Sequence, residues 1–80
     1  MKTVYQFIEF NQESKEHTMH QTNWVCRNKK GGEELGIVEW YKLWKQWCYF
    51  PTCPAVYSKG CLDDISHFVS QLTDEVVKCS

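Results

Sequence analysis

No run of apolar residues in this chain approaches the roughly 18 needed to cross a membrane as a helix, so no membrane-spanning segment is expected. Met1–Phe10 carries one lysine, but Gln6 and Glu9 interrupt its apolar residues and no small-residue cleavage site follows. It does not read as a signal peptide, and a cytoplasmic, host-cell-interior location is the expectation. No Asn-x-Ser/Thr acceptor occurs, which fits a chain that never meets glycosylation. Neither sign of charge dominates: nine Lys and Arg face ten Asp and Glu. With a net charge of −1, any affinity for nucleic acid or anionic lipid must come from a local patch.

Catalytic signatures are also missing. There is no G-x-S-x-G, no phosphate-binding P-loop and no paired-carboxylate pattern, and nothing sets a histidine beside a cysteine. The expectation is a protein that is not an enzyme and carries no cofactor. The five cysteines, Cys26, Cys48, Cys53, Cys61 and Cys79, include no C-x-x-C knuckle and are odd in number. That argues for reduced thiols packing as small hydrophobes over a disulfide framework or a zinc site. His17 and His20 form an H-x-x-H that could join a cysteine on a metal, although histidines in a polar loop are more often simply solvated.

What is present is aromatic and apolar. A hydrophobic share of 42% with 15% aromatics supplies the burial that disordered chains lack. Eighty residues allow one core only, and a domain of this size is marginal unless a partner or a second copy adds burial. Period-two alternation predicts strands over about 3–10, 23–28, 35–41 and 45–50, with 11–22 as a polar loop. Asn28–Gly32 reads as a hairpin turn, because its two glycines tolerate positive φ. Cys61, Leu62, Ile65, Phe68, Val69, Leu72 and Val76, spaced by three and four, predict an amphipathic helix over about 59–77 with Ser58 as its N-cap. The polar face of that helix, with Asp64, His67, Gln71, Asp74 and Lys78, is expected to stay wet. The predicted class is α+β: one domain, an antiparallel four-stranded sheet with one C-terminal amphipathic helix packed on one face.

The hairpin of the third and fourth strands carries the functional expectation. A two-residue turn at Lys42 and Leu43 sets Trp40 opposite Lys45 and Val38 opposite Trp47. Leu35, Ile37, Cys48 and Phe50 then share one face, assigned to the core, and Val38, Trp40, Lys45, Trp47 and Tyr49 share the other. The second face, with a rim at Lys42 to Trp44, is the expected docking surface for a partner protein. The bland alternative is a second small core or a homodimer seam. Between Trp24 and Phe50, Arg27, Lys29, Lys30, Lys42 and Lys45 outnumber Glu33, Glu34 and Glu39 by two. Rings and cations together could stack and hold a nucleotide or a short single strand, with Arg27, Lys29 and Lys45 meeting phosphate. A solvated hairpin tip is the simpler reading of so small an excess.

The stretch Trp24–Asp64 resembles a group of small uncharacterised phage and prophage proteins. The likeness rests on the Arg-Asn-Lys turn at Arg27–Lys29, the Leu-Gly-x-Ile-x-Trp-Tyr strand over Leu35–Tyr41, Trp44, Gln46 and the Phe50-Pro51 end of the next strand, and the Cys-Leu-x-x-Ile-x-x-Phe helix from Cys61 to Phe68. Lys42 and Leu43 stand where the group tends to have Gly-Pro, and Lys45 and Trp47 where it has Arg and Tyr; lysine keeps the charge but loses the planar fork. The resemblance implies origin more than mechanism. It suggests a protein that occupies a host factor, such as a defence complex, in an anti-CRISPR-like manner.

Overall fold

The structure, a computed structural model, describes residues 1–14, 22–52 and 55–79. Strands Ile8–Ser14 (β1), Thr22–Asn28 (β2), Glu34–Tyr41 (β3) and Gln46–Pro51 (β4) pair antiparallel in the order β1-β2-β3-β4. Helix Lys59–Cys79 (α1) packs on one face of that sheet. The α+β expectation holds in class, element order and packing.

The helix begins where its cap requires. Ser58 Oγ accepts a hydrogen bond from the Cys61 N–H at 3.2 Å, and the Ser58 carbonyl takes the Leu62 N–H at 3.0 Å. Ile65, Phe68 and Leu72 are buried and Cys61 and Val69 half-buried, but Leu62, expected on the apolar stripe, is exposed. The side chain of Val76 lies outside the described residues. Phe68 is the hub of the interlayer contact. Its ring stacks on Phe10 at 4.0 Å between centroids and 2° between planes, and meets Trp24 edge-on at 5.1 Å.

The first strand differs from expectation. It begins at Ile8, not Thr3, and continues through the polar Asn11, Gln12 and Glu13, because the backbone ladder with β2 runs from Ile8 opposite Asn28 to Ser14 opposite Thr22. Side-chain polarity does not end an edge strand whose exposed residues can face water. The preceding residues double back instead, with the Tyr5 N–H on the Ile8 carbonyl at 2.9 Å and the Phe10 N–H on the Thr3 carbonyl at 2.8 Å. This turn swings Tyr5 into the core. Its hydroxyl lies 2.8 Å from His67 Nδ1 and 3.3 Å from Gln71 Nε2, and Gln71 also exchanges hydrogen bonds with the backbone of Lys2. Part of the helix flank expected to be wet therefore ties down the N-terminal segment.

The β2–β3 turn closes as expected, with Gly32 at φ 79° and its N–H on the Asn28 carbonyl at 2.7 Å. Beyond it, β3 carries one extra residue: Cys26 pairs with Gly36 and Arg27 with Glu34, so Leu35 is bulged out of the alternation and packs against the core.

Candidate functional site

The register of β3 and β4 pairs Val38 with Tyr49, Trp40 with Trp47 and Tyr41 with Gln46. The connecting loop is therefore four residues, Lys42–Lys45, not two, and Lys45 belongs to the turn with φ 52° and not to the strand. A shift of two preserves parity, so Val38, Trp40, Trp47 and Tyr49 do share a face. It is the opposite face from the one expected. Val38 is fully buried in the helix-side core, and Trp47 and Tyr49 pack against that core. Ile37, Tyr41, Cys48 and Phe50 occupy the outer face. Trp40, half-buried, meets Trp47 edge-on at 6.0 Å on the helix side.

Volume and charge explain the inversion. Cys26, Gly36 and Val38 lie side by side across β2 and β3 on the helix face, and their small size leaves a hollow for the Phe68 ring and for Tyr49. A Cβ at Gly36 would overlap the Tyr49 ring and hydroxyl and lie 2.8 Å from the Phe50 carbonyl. Tyr49 donates to Tyr57 Oη at 3.0 Å, and Tyr57 in turn donates to the Leu35 carbonyl. Arg27, Glu39 and Gln46 fall on the other parity, where burial under a helix would strand charge. Those three polar positions were the legible sign of the outer face.

The outer face has its own aromatic row along the β3–β4 hairpin. Tyr41 meets Trp44 edge-on at 5.1 Å and Phe50 at 5.9 Å, so three rings run from the loop across the hairpin. At the tip Leu43 is 80% and Trp44 67% exposed, with the exposed Lys42 and Lys45 on either side. Among the described strands β4 is at the edge of the sheet, so the row lies beside a backbone edge that no described strand pairs with.

The basic residues do not converge. Lys42 and Lys45 lie at the β3–β4 loop, whereas Arg27 and Lys29 lie by the β2–β3 turn at the other end of β3, about 25 Å away for an eight-residue strand. Arg27 Nη1 donates to the Gly32 carbonyl at 3.4 Å and Lys29 Nζ to the Tyr5 carbonyl at 3.2 Å. Both serve local backbone.

Of the thiols, Cys26 is fully buried, and burial pushes it up to about 11 despite a hydrogen bond with Tyr49; Cys48 and Cys61 are half-buried and free. Tyr49 is raised too, by burial first and then by its hydrogen bond with Tyr57. His17 and His20 lie outside the described residues. Among the described residues no three metal-ligating side chains gather, and no helix is long and apolar enough to cross a membrane. The chain matches no family model, no curated protein and no solved structure.

Proposed function

We propose that this is a non-enzymatic binding protein that docks the Tyr41–Trp44–Phe50 row onto another protein. On the phage-type resemblance, that protein is a host factor such as a defence complex. One observation carries the reading: a ring-to-ring row on the outer face ends in an exposed tryptophan and leucine that the described helix and sheet leave uncovered. Large amphipathic rings held in place by neighbouring rings lose little entropy on docking, which is why Trp and Tyr dominate interface energetics. Lys42 and Lys45 flank the tip and favour a partner with an apolar socket rimmed by carboxylates. The nucleotide reading ranks behind it because the cations are divided between the two ends of the sheet.

The test compares two tryptophans in a pull-down from host cells followed by measured affinity. Trp44→Ala should weaken partner binding by about tenfold or more and leave the thermal midpoint unchanged. Trp47→Ala should mainly lower the midpoint, since that ring packs against the core. A Trp44→Ala protein that kept every partner at full affinity would sink the proposal.

A further inference from the structure

At the opposite end of the sheet an open groove of about 660 Å³ lies between the N-terminal segment, the β2–β3 turn and the start of α1. Its volume falls within the range of small-ligand sites, roughly 300–1,000 Å³. We propose that this groove binds a small amphipathic carboxylate, with an apolar body along Phe7, Leu35 and Val56 and the anionic head at Lys29 and Lys30.

Three features carry it. Phe7 and Val56 are 57% and 86% exposed, although neither lies in the hairpin row and each could have been polar without cost to the core. They line the groove together with Leu35, which the bulge turns out of the β3 alternation, so the apolar strip is assembled from three separate segments of the chain. The charged side chains lining the groove are both lysines, with no carboxylate among them. Lys29 gives one N–H to the Tyr5 carbonyl, a neutral acceptor, at 3.2 Å. Lys30 makes no ion pair among the described residues. Two uncompensated ammonium groups beside an apolar strip favour a ligand with one anionic end and a hydrocarbon body. Cys61 lines the same groove, half-buried and free, and serves as a built-in reporter of occupancy.

The probes are decanoate and decanol, below their aggregation limits, with the untagged full chain. Peptide-resolved iodoacetamide labelling should show saturable protection of Cys61 by decanoate, with Cys48 on the outer face unaffected. Decanol, with the same tail and no charge, should protect at least tenfold less well. Lys30→Glu reverses one exposed head-group contact and should weaken decanoate protection by about tenfold while leaving decanol unchanged. Val56→Ser, at a side chain too exposed to matter for folding, should weaken both probes. Equal protection by decanoate and decanol, no saturable protection by either, or protection by AMP in place of decanoate would each overturn the assignment. Labelling at unchanged thermal midpoints separates loss of the site from loss of the fold.

Discussion

A single thiol shows how burial becomes pH dependence. Cys26 is fully buried on the helix side of β2, and its titration is raised from 9.0 to about 11. A raised thiol keeps its proton in the folded chain over a range where the unfolded chain has already lost it. The unfolded state then binds fewer protons, and stability falls as pH rises. The contribution is intact below about pH 9 and is lost between about 9 and 11, a total of about 2–3 kcal/mol. Tyr5 and Tyr49, both raised by burial, extend the loss to higher pH. Urea midpoints under reducing conditions should be flat from pH 7 to 8.5 and decline by pH 10.5. In Cys26→Ala the early part of that decline should vanish. An unchanged decline in the variant would show that the tyrosines alone account for it.

Among the elements, the β3–β4 hairpin shows most clearly what the sequence made legible. Both strands, their pairing and most of the side chains that share a face followed from period-two alternation, because parity survives a two-residue error in register; Lys45, which falls in the turn, and Leu35, which the bulge moves to the core, did not. The loop length did not follow. Nothing in Lys42–Lys45 has the Gly or Asn that marks a turn, yet Lys45 adopts φ 52°. A lysine there costs about 1 kcal/mol, which the pairing of Tyr41 with Gln46 and the Tyr41–Trp44 ring contact offset. Lys45→Gly should therefore stabilise the protein by about 0.5–1 kcal/mol in urea unfolding. Destabilisation would mean that the Lys45 stem does packing work the geometry does not reveal. Which face the helix takes was also not legible from parity alone. It depends on the small Cys26, Gly36 and Val38 meeting across two strands, a match of volumes that appears only once the register is known. The helix itself was the most legible element, since its spacing and its Ser58 cap are local; among the described side chains of the stripe only Leu62, which is exposed, departs from it.

At the scale of the whole molecule the Leu43–Trp44 tip and the groove lie at opposite ends of the sheet, and one interlayer contact holds together the scaffold between them. Phe68 is fully buried, stacked on Phe10 of β1 and edge-on to Trp24 of β2, so one helix side chain bridges two strands. Removing such a ring costs about 3–5 kcal/mol through lost burial and the cavity left behind. The entire stability of an 80-residue domain is about 4–12 kcal/mol. Phe68→Ala should therefore abolish or severely lower the cooperative melt followed by near-UV circular dichroism, and with it both partner docking and Cys61 protection. Leu62→Ala, on the same helix but at an exposed side chain, should stay within about 0.5 kcal/mol of the parent. Trp44→Ala and Lys30→Glu, by contrast, should each silence one end of the sheet while the melt and the other end are preserved. If either exposed substitution instead lowered the melt and disabled both ends together, the two surfaces would have to be treated as one cooperative unit, and the separation argued from the eight-residue span of β3 would fail.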